Sequence, residues 1–307
     1  MQVVVAGGTG FLGGALVQAL AAEGHTVVVL TRSAGRPPAG AVRFVPWTPD
    51  GHTGAFARDI DGAGAVVNLA GASIAGARWS AAHKRTILES RLQATRSVAE
   101  AIRRAAQPPA VLINGSAVGY YGPRGDEIVA EETPAGSDFL ADVCVQWEAE
   151  ANRAASPRTR VVCIRTGLVL ALDGGALPQM LPPFKFFVGG TVGSGRQYWP
   201  WIHKDDWVAL VRWAIGQPTL SGPLNASAPN PATNAAFAAA LGAALHRPAV
   251  LPAPAFALRL LLGEMADALL LSGQRVVPAA AERQGFTFHY TEVRSALRAI
   301  FDASPSA

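Results

Sequence analysis

Residues 3–14 read VVVAGGTGFLGG. A wholly apolar run meets a turn built almost entirely of glycine, with Phe11 as its one large side chain. Gly7, Gly10 and Gly13 fall at three-residue intervals, directly after a strand-like run and directly before the helical pattern FLGGALVQALAAEG. In that context each glycine has a physical task. Gly7 permits the tight turn, Gly10 lets backbone N–H groups approach a pyrophosphate, and Gly13 lets the helix pack close to the sheet. The positive end of the helix dipole then faces the phosphates. Thr9, Phe11 and Leu12 belong to the same turn and are assigned to the cofactor with it.

The end of the second strand, HTVVVLTRS, selects the dinucleotide. A site for an unphosphorylated ribose wants a carboxylate there. Here the strand ends in Thr31, Arg32 and Ser33 with no acid, and a guanidinium with hydroxyls suits a 2′-phosphate. The expected cofactor is NADP(H).

Strand and helix patterns alternate through the first half. AGAVVNLAG, AVLINGSA and RVVCIRTG read as further buried strands. A long helix is expected from about Ser80 to Ala105, with Leu88, Leu92, Thr95, Ala99 and Ile102 on its apolar face, and another over DFLADVCVQWEAEANRAA. This is a βαβ series, and the expected fold is α/β: a Rossmann doubly wound parallel sheet with helices on both faces, plus a small C-terminal α/β lobe. The expected domains are 1–170, with sheet elements returning at about 200–228, and 171–307. The second begins in glycine- and proline-rich loops that read as cover over a site. Helices are expected at 206–215, 234–245 and 256–271.

Composition excludes several classes. The chain has 307 residues, 16% of them charged, and a formal charge of +4. Its arginines are scattered, so no nucleic-acid surface is indicated, whereas a pocket for an anionic or ring-bearing small molecule is. The span APAFALRLLLGEMADALLLSG carries Arg259, Glu264 and Asp267 and reads as a packed or amphipathic helix rather than a membrane segment. No metal-ligand spacing occurs, and two cysteines give no disulfide framework. A cytoplasmic protein is expected; the oligomeric state is not readable.

The glycine turn, NLAG at 68–71, SAVGYYG, IRTGLVL and WIHKDD together resemble the extended short-chain dehydrogenase/reductase superfamily. AGGTGFLG, VNLAGASI, RWSAAHKRTILESR, FLADVCVQWE, GSGRQYWPWIH and GFTFHY resemble a narrower group within it, the nucleoside-diphosphate-sugar epimerase-like family with a C-terminal domain of unknown function. The resemblance implies that Asn68, Leu69, Ala70 and Gly71 pass beside the cofactor and that Leu168 borders the nicotinamide. Arg91 falls where a second cation reaches the cofactor, or else is a helix-surface arginine.

Relatives use a Tyr-x-x-x-Lys pair on the helix that here contains Trp147 and Glu148. Leu140 and Cys144 occupy those positions. None of the four tyrosines is followed four residues later by any of the three lysines, so the dyad is absent. Ser116 is the candidate for the hydroxyl that steadies a substrate oxygen, although Ala117 fits the same alignment. Tyr120 and Tyr121 alternate at a strand exit, one to pack and one to line the pocket, with Arg78 or Lys84 as the cation that lowers a phenol pKa. Cys144 is either a thiol catalyst or a buried inert cysteine. On the substrate side His203 is a base, a substrate contact or a packed strand end, and Asp205 or Asp206 caps the next helix. Trp199 and Trp201 are walls for a ring or core. The expected function is an NADP(H)-dependent oxidoreductase or epimerase-like enzyme of atypical mechanism; the alternative is a non-catalytic NADP(H)-binding sensor or partner-binding protein.

Overall fold

The computed structural model describes residues 1–33 and 39–302. The chain opens with β1 (Gln2–Ala6), α1 (Phe11–Ala22), β2 (Thr26–Thr31), β3 (Val42–Pro46) and α2 (Ala57–Ile60). Next come β4 (Ala65–Asn68), α3 (Ala81–Arg104), β5 (Val111–Ala117), a 3₁₀ turn (Val118–Tyr121), β6 (Ile128–Val129) and α4 (Phe139–Asn152). β7 (Arg160–Thr166), β8 (Leu168–Leu170), α5 (Leu177–Lys185), β9 (Tyr198–Trp199), β10 (Trp201–His203) and α6 (Lys204–Gly216) follow. The remainder is β11 (Gly222–Ala226), β12 (Ala232–Thr233), α7 (Asn234–Leu245), α8 (Ala255–Leu262), α9 (Glu264–Ala266), a π-helical turn (Asp267–Leu271), β13 (Arg275–Val276), α10 (Ala279–Arg283) and α11 (Val293–Asp302).

Two compact units result. One comprises Met1–Ala117, Asp142–Arg165 and Val208–Leu224; the other Val118–Ala141, Thr166–Trp207 and Asn225–Ala307. The first unit is organised on a seven-stranded parallel sheet in the order β11-β7-β5-β4-β1-β2-β3. Val3, Val4, Val5, Val66 and Val67 have no exposed surface, which is why β1 and β4 read as unbroken apolar runs: a strand covered on both faces has no polar side to alternate with. The order places the exits of β2 and β4 on either side of the exit of β1, where the glycine turn stands. The expected doubly wound α/β class is the observed one.

α3 runs as expected, with Ser80 as N-cap accepting the His83 N–H at 3.1 Å. Its buried stripe, however, passes through Ile87, Arg91, Thr95, Val98 and Ile102, while Leu88 and Leu92 are only half-buried. β3 and α2 are additions to the sequence reading. In β3 only Val45 is buried and Arg43 reaches Asp59 at 2.7 Å, so this edge strand has too little apolar pattern to announce itself.

In the second unit, β8 pairs with β10, β9 with β12 and β6 with β13. Trp199, Trp201, Phe237, Leu241, Leu297 and Ile300 share its main core, with α11 on α7. The helix expected over 256–271 is broken. Gly263 adopts φ 64°, α8 ends before it, and α8 has no buried residue. Phe256, Leu260 and Leu261 are more than 70% exposed there, so of the two expected readings, packed or amphipathic, the packed one does not hold for α8.

Candidate functional site

The glycine turn is rigidly specified by its own backbone. Gly7 has φ 80°, and a Cβ on it would sit 2.8 Å from the carbonyl carbon of Leu69. A Cβ on Gly13 would run into the Gly7 carbonyl oxygen, so α1 approaches the end of β1 only because both are glycine. Gly10 differs: an added Cβ would meet nothing but Gly7 O, at 3.3 Å. Thr9 and Gly10 are exposed, α1 has no side-chain N-cap, and no acid lies in its first turn. The turn is therefore a cradle with open backbone donors and an unshielded helix N-terminus, which fits an anionic diphosphate.

At the exit of β2, Thr31 is buried and its hydroxyl accepts the Ser33 N–H at 3.1 Å, while Arg32 is exposed. Arg32 lines a cavity of about 380 Å³ together with Pro46, Trp47, Thr48, Asp50, His52, Thr53, Gly54, Ala55 and Phe56. Trp47 and Phe56 pack edge-to-face at 5.5 Å and hold the two ends of this loop. Sequence reasoning missed the segment 46–56. Its signal was a polar, turn-rich loop bracketed by two aromatics, following an apolar pair.

At the exit of β4, the Asn68 side chain is used entirely within the protein. Its amide donates to Thr95 Oγ1 at 2.9 Å and Asn114 Oδ1 at 2.8 Å, and its oxygen accepts the Ala70 N–H at 3.3 Å. Trp147 Nε1 joins the same network through Thr95. Asn68 thus fixes the path of Leu69–Gly71 along the glycine turn. Arg91 is buried in α3 rather than lying on the helix surface, with its guanidinium 5.1 Å over the Trp147 ring. Gly71 leaves it room: a Cβ there would be 3.4 Å from Arg91 Cζ.

The helix α4 contains neither tyrosine nor lysine. Burial pushes the Cys144 thiol up to about 11, ahead of the like-signed push of Glu148. Cys163 is raised by burial as well, and both cysteines are free. Thiolate forms only as pH rises toward such values, so we expect neither thiol to react with an aromatic disulfide reagent at pH 8 in the folded protein. Two rapid equivalents at that pH, without denaturant, would contradict the burial.

Ser116 Oγ donates to Glu148 Oε1 at 2.6 Å, and Glu148 takes the Arg165 fork through both oxygens, each at 2.8 Å. All three side chains are buried. The hydroxyl proton of Ser116 therefore points at a carboxylate. The roles of Glu148 and Arg165 were not read from sequence, because partners on different elements leave no spacing to recognise.

Tyr120 and Tyr121 follow β5 in the chain, at a strand exit as expected, but on a 3₁₀ turn rather than in alternating strand geometry. Tyr121 has no exposed surface and donates to Asn225 Oδ1 at 2.7 Å; Tyr120 is half-buried against it, edge-to-face at 5.4 Å. Leu168 donates its N–H to Pro200 O at 2.7 Å, and Trp199 and Trp201 belong to the core. His203 is buried, and burial holds its imidazole below the usual range despite Asp205 and Asp206. Its Nδ1 accepts the Asp205 N–H at 3.1 Å, which places the proton of the neutral ring on Nε2. The expected cap is thus replaced: the histidine ring takes the amide of Asp205. Asp206 instead accepts the backbone N–H groups of His289 and Tyr290 at 2.9 and 2.8 Å. Tyr290 lies against the His203 ring with centroids 4.0 Å apart, a partner that only the three-dimensional structure brings. Arg78 is exposed in the first unit, on the loop that leads into α3.

Among the described residues no His, Cys, Asp or Glu group is arranged to hold a metal ion, and no helix is long and apolar enough to cross a membrane.

The parallel sheet and its glycine turn define a doubly wound, dinucleotide-binding type of α/β protein. The chain belongs to the NAD dependent epimerase/dehydratase family, which it matches over residues 3–225; residues 253–300 match a domain of unknown function, DUF1731. It is 44% identical over 299 residues to an epimerase family protein, Mb2239, of Mycobacterium bovis, covering 96% of each chain. It is 43% identical to a chloroplastic SDR39U1 homologue of Arabidopsis thaliana, over 98% of this chain and 86% of that one. The solved structure of human epimerase family protein SDR39U1 with NADPH superposes with a TM-score of 0.90 and 37% identity. That match covers 99% of this chain and all of the human one.

Proposed function

We propose that this chain is an NADP(H)-dependent oxidoreductase or epimerase-like enzyme that works without a Tyr-x-x-x-Lys dyad on a small, anionic or ring-bearing substrate. The observation that carries the reading is Arg32, which lines a cavity of about 380 Å³ at the exit of β2, next to an open glycine cradle. The human relative solved with NADPH supports it. Gly7, Gly10 and Gly13, with the N–H groups of Thr9, Phe11 and Leu12, hold the pyrophosphate. Thr31 and Arg32 hold the 2′-phosphate, and the backbone of Leu69–Gly71 lines the other side. When bound, the cofactor supplies or takes a hydride.

The chain must then move a proton at the substrate oxygen. Ser116 and Tyr121 spend their hydroxyl protons on Glu148 and Asn225. We assign the proton to Tyr120 and the substrate contacts to His203 and Leu168. Trp201, as core, shapes rather than touches the substrate. His203, neutral with its proton on Nε2, acts as a hydrogen-bond donor and not as a base. Two free cysteines fit a reducing compartment such as the cytoplasm.

A second reading is favoured by the same geometry. With Leu140 and Cys144 at the dyad positions and the Cys144 thiol kept neutral, the protein binds NADP(H) as a sensor or partner-binding module.

Arg32→Ala is expected to weaken NADPH binding by about 1.5–3 kcal/mol, the scale of a charge-assisted contact, and to leave NADH binding nearly unchanged. Equal losses by calorimetry would remove the 2′-phosphate assignment. A carbonyl screen against the fluorescence of bound NADPH separates enzyme from sensor: consumption of the signal supports the first, and a signal that no compound alters supports the second.

A further inference from the structure

A buried cation without an acid is the exception in a protein interior, because desolvation disfavours the charge unless something compensates it. Arg91 is such a cation. Its residue is 8% exposed, and burial lowers its pKa. Nη1 donates to Ala72 O at 3.0 Å and to Ile87 O at 2.9 Å. Among the described residues no carboxylate pairs with it, and its Nε and Nη2 meet no protein acceptor. Those nitrogens are also not sealed in, since neither is among the buried atoms left without a partner. The guanidinium is pinned through Nη1, the nitrogen nearest Gly71, by two carbonyls, is stacked on Trp147, and is left with Nε and Nη2 as open donors.

The sheet order says which half of a dinucleotide would meet those donors. The glycine turn follows β1. Arg32 and its cavity lie at the exit of β2, on one side; Leu69, Gly71 and Arg91 lie at the exit of β4, on the other. With the pyrophosphate at the turn and the 2′-phosphorylated adenosine on the β2 side, the remaining half extends over β4. Resting on the NADP(H) reading above, we propose that Arg91 binds oxygens on the nicotinamide side of the cofactor's pyrophosphate, so that two arginines flank the glycine turn and grip opposite halves. Arg91 reaches from α3 to the Trp147 ring of α4, three residues after Cys144 on that helix.

Calorimetric titration of wild type and Arg91→Gln with two probes tests this: NADPH, which has both halves, and adenosine 2′,5′-bisphosphate, which has only the adenine half. Arg91→Gln should weaken NADPH at least tenfold and change the bisphosphate less than twofold. Unchanged NADPH affinity would make the guanidinium a structural group and overturn the proposal. Equal weakening of both probes would place Arg91 on the wrong half and overturn it as well. If Arg91→Gln does not fold, Arg91→Lys keeps the charge and stem while losing the planar fork. A threefold or greater loss confined to NADPH then supports the proposal, and no loss overturns it. Wild type that binds neither probe would sink the NADP(H) reading itself, a result distinct from every outcome for Arg91.

Discussion

Gly10→Val should leave a folded protein whose affinity for NADPH is at least 100-fold lower. The reasoning separates backbone from ligand. Gly10 has φ −84° and ψ 178°, extended geometry that a β-branched residue adopts readily. The added Cβ meets only Gly7 O at 3.3 Å, and the residue is exposed. The cost to the fold is that of a poorer helix N-cap, about 1 kcal/mol. The cost to binding is larger, because an isopropyl group then occupies the space into which Gly10 opens and stands between the α1 amides and a diphosphate. A hundredfold loss corresponds to about 2.7 kcal/mol. Gly13→Ala is the contrasting variant: its methyl runs into the Gly7 carbonyl, so it should fail by unfolding the turn rather than by shielding it. Thermal melts together with calorimetry decide. An NADPH affinity within threefold of wild type, in a Gly10→Val protein that melts normally, would mean that the phosphates bind elsewhere.

That the turn was legible and much of its surroundings was not follows from where the information lies. β1, the glycine spacing and α1 are local, and each constraint sits within a dozen residues. Arg91 was half legible. The expected face of α3 shares Thr95, Ala99 and Ile102 with the buried stripe, but in its first half it runs through half-buried Leu88 and Leu92, one residue beyond buried Ile87 and Arg91. On the correct line Arg91 falls four residues after Ile87, and a charge on a buried stripe is itself a signal. The loop from Pro46 to Phe56 looked like ordinary turn chemistry, because only the pairing of β3 with β2 carries it back to Arg32. The break at Gly263 could not be told from an isolated helical glycine, since periodicity continued through it; its φ of 64° is set by tertiary structure. His203 with Tyr290, and Glu148 with Arg165, join residues on separate elements, and no single sequence carries a spacing rule for such pairs.

Glu148 and Arg165 lead to the largest expected effect on stability. The carboxylate stands on α4, the guanidinium on β7, and the hydroxyl of Ser116 joins them from β5. Three elements of the first unit are therefore tied through two oxygens that are shut off from water. Such a pair adds little over apolar side chains of equal size, but removing one partner leaves an uncompensated buried charge, at about 3–5 kcal/mol. Arg165→Met should lower the unfolding free energy obtained from denaturant titration by that amount, whereas Glu148→Leu combined with Arg165→Met should recover most of it, since neither charge then remains. A single variant within about 1 kcal/mol of wild type would show that water reaches the pair and that the three elements hold without it. The comparison also bears on chemistry. In the double variant the Ser116 hydroxyl loses its acceptor and its proton can turn to another oxygen. Should that folded double variant turn over a substrate faster than wild type, Glu148 is what keeps Ser116 out of the reaction. Unchanged turnover would leave the proton with Tyr120, where we have assigned it.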